Sequence, residues 1–92
     1  GNLVKAVVDV EKNILVVDAE LHSDQEAFLI ESGSNQKNLW GINIYPDLSN
    51  EERIAFDSMI NLRPSQGNSS RGVEDEEIQK KILDIVNSKI IE

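Results

Sequence analysis

LVKAVVDVEKNILVVDAELH, residues 3–22, carries two runs rich in Val, Ile and Leu on either side of the turn-prone EKN at 11–13. β-Branched residues suit a pleated, half-buried surface, so the stretch predicts a β-hairpin. With Lys12 and Asn13 at the centre of the turn, Val10 faces Leu15, Val8 faces Val17, Ala6 faces Ala19 and Val4 faces Leu21, which makes one face wholly apolar. The same register sets Lys5 opposite Glu20 and places Leu3, Val7, Val16, Asp18 and His22 on the second face. A slip of one residue would mix the two faces.

Downstream of the hairpin, Ser23 and Glu26 have the spacing of a capping box, which predicts a short helix from about Asp24 to Ser32 with Gly33 as its left-handed stop. Ala27, Phe28, Leu29 and Ile30 would dock it on a sheet. LWGINIYP, 39–46, alternates Trp40, Ile42 and Ile44 with Gly41, Asn43 and Tyr45, and Pro46 ends that strand. RIAFDSMINLR, 53–63, continues the period of two, with Ile54, Phe56, Ser58, Ile60 and Leu62 inward and Ala55, Asp57, Met59, Asn61 and Arg63 outward. SNEE at 49–52 is also a capping box, so a helix competes over 49–60; the period of two continuing to Arg63 before Pro64 favours the strand from Phe56 on, with room for a helical turn at 49–53. In the last segment Ile78, Ile82, Ile85, Val86 and Ile90 share one helical face, acids fill the first turn and Lys89 lies in the last.

The order is therefore ββαββα, and the expected fold class is α+β. Residues 1–92 would form a single two-layer domain, a mainly antiparallel four-stranded sheet with two helices on one face. Ninety-two residues support one core, and with aromatic residues at 4% that core is mostly aliphatic. Gly1 reads as a cloning remnant. The absence of cysteine excludes disulfides, a Cys nucleophile and Cys-based zinc sites. No membrane-length apolar run or secretory signal is present, so a cytoplasmic setting is expected. A formal net charge of -8 repels phosphate at long range, making nucleic acid and anionic membranes poor partners.

Two places could carry chemistry. If the strands adjoin, the outer sheet face holds Asp18, Glu20, His22, Asn43, Tyr45, Asp57, Asn61 and Arg63. Asp18, Glu20 and His22 recur at spacing two, so with Asp57 they could ligate a divalent metal or act as an acid/base set; equally, they read as an ordinary solvated face. The second place is RPSQGNSSRGV, 63–73, where Arg63, Ser65, Gln66, Asn68, Ser69 and Arg71 could hold an anion or a partner ahead of a helix N-terminus. Against this, Glu74, Asp75, Glu76 and Glu77 occupy that terminus and could pair with the arginines, as could Asp57. No phosphate-loop or dinucleotide fingerprint and no Gly-x-Ser-x-Gly elbow occurs, and no cofactor is expected. Trp40 and Phe56 read as core, whereas Leu3, Val7, Val16 and Met59 on the open sheet face could form a partner surface or a homodimer contact.

The segments AELHSD, LWG-N-YP and FDSMINLRPSQGN-SRGVED resemble a small prokaryotic family known as a domain of unknown function, over nearly the whole chain. The resemblance implies a prokaryotic, cytoplasmic setting and supplies no catalytic residues. Glu76 stands where that family is associated with proline, and either residue suits the first turn of a helix. The sequence thus favours a non-enzymatic binding or protein-interaction module, which presents the polar sheet face and the Arg63–Gly72 loop to an unknown protein or small anionic ligand. A small metal-assisted hydrolase acting on an anionic substrate is the alternative.

Overall fold

The computed structural model describes residues 3–17, 21–49 and 52–89. Its elements are β1 (Val4–Asp9), β2 (Ile14–Val16), α1 (His22–Glu31), β3 (Leu39–Ile44), β4 (Ile54–Ala55) and α2 (Glu76–Lys89), with 3-10 turns at Gln36–Asn38, Met59–Asn61 and Pro64–Gln66. The class is α+β, and the sheet runs β2-β1-β3-β4 with every neighbouring pair antiparallel.

The hairpin forms in a different register from the one expected: Val8 faces Leu15 and Val7 faces Val16. Asp9 explains the shift. Its buried Oδ1 accepts the N–H groups of Glu11 and Lys12, both at 2.9 Å, so the chain turns directly after Asp9. Asn13 completes the turn with a left-handed φ of 58°. Because the displacement is two residues, each side chain keeps its face. The expected Ala6–Ala19 and Lys5–Glu20 pairs fall on residues outside those described, and Leu21 is the N-cap residue before α1 rather than a strand partner of Val4.

Helix α1 begins at His22, earlier than the capping box implies, and no side chain caps it. Its end is as expected: Gly33 is left-handed at φ 104°, Ser34 N–H bonds to Leu29 O and Gly33 N–H to Ile30 O. Of the apolar patch only Leu29 is buried, while Phe28 and Ile30 remain exposed. His22 and Gln25 face inward instead, each anchored to a strand carbonyl, Ile42 O at 2.7 Å and Lys5 O at 2.8 Å.

Both helices were expected on one face; they take opposite faces. On one side α2 packs Ile82, Ile85 and Val86 against Ala6, Val8, Trp40, Ile42 and Ile44. On the other, Leu29 of α1 meets Val7 and Leu39, flanked by Ile14, Val16 and Ile60. The reason lies in the contiguous Ala6-Val7-Val8 run, since a central strand apolar on both sides needs cover on both. The face expected to stay open for a homodimer contact is therefore occupied by α1, and Val7 is fully buried.

The strand expected through Arg63 stops at Ala55. Beyond it the chain makes a 3-10 turn, with Met59 exposed as expected but Asn61 buried and Leu62 exposed, against the alternation read from sequence. Asn61 replaces strand pairing with its side chain: Oδ1 accepts Gly41 N–H at 2.8 Å and Nδ2 donates to Gly41 O at 3.0 Å. Gly41 permits this approach, because a Cβ there would lie 2.6 Å from both Cβ and Oγ of Ser58. At the helical turn expected over 49–53, Glu52 and Arg53 N–H bond back to Ser49 O; Asn50 and Glu51 lie outside the described residues, as does Ile90 of the α2 face.

Candidate functional site

RPSQGNSSRGV is largely an internal brace. Arg63 and Asn68 exchange backbone hydrogen bonds of 2.8 and 3.1 Å, closing a tight loop at whose tip Gly67 is left-handed. The Arg63 guanidinium lies 4.2 Å over the Trp40 ring and donates to Gln36 O and, at 2.6 Å, to Leu39 O. Burial pushes its pKa below the usual arginine range, with Glu26 acting the other way, and the group stays cationic at neutral pH. The buried Asn68 carboxamide donates to the carbonyls of Asn61, Ser70 and Gly72 and accepts Glu74 N–H at 2.9 Å, tying the loop to the start of α2. Ser69 N–H donates to Glu74 Oε2, Gln66 Nε2 makes a long 3.4 Å contact with Lys37 O, and Ser65 is exposed. Arg71 Nε meets Asp57 Oδ1 at 2.8 Å, with both side chains more than half exposed. Such an exposed pair contributes little to stability and leaves Arg71 able to reach a ligand.

The polar sheet face survives in smaller form at the N-terminal end of α1. There a cleft of about 450 Å³ brings together Lys5, His22, Asn43, Tyr45, Asp57 and Arg71. Strand β1 supplies Lys5, α1 supplies His22 and β3 with its extension supplies Asn43 and Tyr45. The chain after β4 adds Asp57 and the loop before α2 adds Arg71. Leu3, Leu21 and Met59 border the same cleft and are exposed.

His22 is buried, and its partner is a carbonyl, which can only accept; the Nε2 proton is assigned on that ground, leaving Nδ1 as the acceptor of a neutral ring. Its pKa is lowered, first by burial and further by the positive charges of Lys5 and Arg71, against the raising effects of Ile42 O and Asp57. Asn43 Nδ2 donates to Asp57 O at 3.3 Å, while its Oδ1 is buried without a partner. Among the described residues the cleft therefore combines two cationic side chains, one carboxylate, a neutral imidazole and an unused acceptor.

A family of proteins of unknown function, DUF5674, matches residues 1–89. The chain belongs to the DUF5674 family. No curated protein and no solved structure matches it. Membership confirms the resemblance read from the residues over nearly the whole chain, and the family brings no assigned activity.

Of the sequence-derived candidates, His22 and Asp57 share the cleft, whereas Asp18 and Glu20 lie outside the described residues. Among the described residues, no three His, Asp or Glu side chains gather where they could hold a metal ion. Arg63 and Asn61, expected on the same polar face, serve the loop and the β3 edge instead. Lys5 was overlooked because the hairpin pattern assigned it to Glu20; its alternation onto the face of His22 and Asn43 was the available signal. A larger groove of about 600 Å³ runs along α2, where Lys80, Lys81, Asp84 and Lys89 belong to the helix's exposed surface. A smaller hollow of about 350 Å³ lies beside Gln66, Gly67 and Trp40, with Lys37 facing Glu74 and Asp75. No helix among the described residues is long and apolar enough to cross a membrane.

Proposed function

We propose that the domain is a binding module whose ligand site is the cleft at the start of α1. The observation that carries this reading is the convergence of Lys5, His22, Asn43, Tyr45, Asp57 and Arg71, from separate parts of the chain, on one concavity. Convergent polar groups in a cleft of ligand size are the usual mark of a binding site. The Arg63–Gly72 loop contributes through Arg71, while Arg63 stiffens the loop's base. Binding is favoured over turnover because the titratable groups already have structural duties: His22 donates to Ile42 O, and Asp57 is held by Arg71.

The test is a thermal-shift screen of the chain with phosphate, nucleotides and carboxylates. A bound compound raises Tm with concentration, and Lys5→Gln and Arg71→Gln abolish the rise while Lys80→Gln retains it. A response that persists in the first two variants refutes the location. A second reading, metal-assisted hydrolysis of an anionic substrate, draws support from His22 and Asp57 lining the same cleft. It requires divalent-metal-dependent turnover that His22→Gln removes.

A further inference from the structure

Given that the cleft binds a ligand, we infer that its ligand class is the C-terminal end of a peptide: a free carboxylate, the amide N–H beside it and an apolar final side chain. Three independent features match these three parts.

The carboxylate has a place at the start of α1. Leu21 precedes the helix in an extended conformation, φ -126° and ψ 136°, and supplies no side-chain cap. Asp24 and Gln25 N–H both turn to Leu21 O, while among the described residues the N–H groups of His22 and Ser23 have no partner. An uncapped N-terminus of a ten-residue helix presents those donors with its partial positive charge. Lys5 and Arg71 add two cations, and among the described residues that line the cleft the one carboxylate, Asp57, is already engaged by Arg71. In a chain of net charge -8, the described lining of the cleft carries two cations against one carboxylate.

The amide has a partner in Asn43. This residue is 93% buried, 7% being exposed, and among the described residues its Oδ1 meets no donor. A buried carbonyl oxygen left unpaired is a standing cost, which a ligand N–H relieves. Met59, which lines the same cleft, is 62% exposed. His22 does not compete, since its Nε2–H is committed to Ile42 O.

The apolar side chain has a rim to cover. Leu3, Leu21 and Met59 are 46%, 56% and 62% exposed, and all three border the cleft. Inorganic phosphate would satisfy the helix end but leave Asn43 Oδ1 and this rim unused. A volume of about 450 Å³ holds one terminal residue with its preceding amide.

The test follows amide and side-chain NMR signals of the isotopically labelled chain during titration to about 10 mM with four probes, N-acetyl-L-leucine, N-acetyl-L-leucinamide, 4-methylpentanoate and phosphate. N-acetyl-L-leucine is expected to move the signals of Ser23 and of the Asn43 carboxamide, saturably. The leucinamide, lacking the charge, binds at least tenfold more weakly, and 4-methylpentanoate, lacking the N–H, severalfold more weakly. Lys5→Gln and Arg71→Gln each weaken N-acetyl-L-leucine about tenfold while keeping the dispersed spectrum of a folded chain. Equal binding of acid and amide overturns carboxylate recognition. If phosphate moves the same signals and N-acetyl-L-leucine does not, the ligand class is wrong and the cleft remains a site. If no probe moves them and the thermal-shift panel is also silent, both readings fall.

Discussion

Replacing Asn61 with alanine tests how β3 is completed on its outer edge. The residue is fully buried, and its carboxamide makes three hydrogen bonds, from Gly41 N–H at 2.8 Å, to Gly41 O at 3.0 Å and to Arg71 O at 2.8 Å. At roughly 1 kcal/mol net for each, truncation costs about 3 kcal/mol, and stranding the Gly41 N–H away from water raises the total to about 4 kcal/mol. For a domain of this size that is a Tm fall of about 16–32 °C. The assay is urea unfolding, with the loss appearing as a lower midpoint at unchanged slope. Asn61→Asp supplies the control: it keeps an acceptor for Gly41 N–H but places a carboxylate against two carbonyl oxygens, so its deficit relative to the parent chain shrinks when acid protonates it. A loss below about 1 kcal/mol for Asn61→Ala would show that the side chain does not stand in for a strand.

Four further outcomes are expected. Gly41→Ala should destabilise by about 1–3 kcal/mol through the 2.6 Å clash with Ser58, and Ser58→Gly in the same chain should recover much of it, as read in a double-mutant cycle of unfolding free energies. Because burial lowers the His22 pKa, the unfolded chain binds the extra proton first; its contribution is complete above about pH 6.5 and is lost as pH falls through the folded value, a slope that His22→Gln should flatten in Tm measured against pH. Arg63→Lys should cost about 1–3 kcal/mol and alter Trp40 fluorescence, since an ammonium cannot stack on the ring and donate to both Gln36 O and Leu39 O. Arg71→Ala should change unfolding free energy by less than about 1 kcal/mol, because its pair with Asp57 is exposed, while weakening ligand binding.

The two loop arginines show where pattern reading stops. Both were legible as candidates for internal pairing, yet nothing in their spacing distinguishes Arg63, stacked on Trp40 twenty-three positions away, from Arg71, which meets Asp57 at the surface. Asn61 and Asn68 looked like surface polar residues and are buried scaffolds, because a carboxamide can satisfy backbone groups that no strand reaches. The cleft was half legible: His22, Asn43, Tyr45 and Asp57, with Leu3 and Met59, fell on one face by alternation, whereas Leu21 and Arg71 join them only through the tertiary fold.

Local chemistry by itself determined the order of elements, the side each residue of β1 and β3 occupies, the left-handed Gly33 and the face of α2, since each depends on periodicity or on backbone preference within a few residues. Tertiary structure decided the rest. Whether α1 lay on the same face as α2 or the opposite one depended on which apolar surface of β1 still needed cover, and the two-residue shift of the hairpin depended on a carboxylate finding its N–H partners. The end of β4 likewise depended on Asn61 meeting Gly41 across 20 positions. Contacts of that range are selected by the burial and hydrogen-bond satisfaction of the whole molecule, which no local pattern encodes.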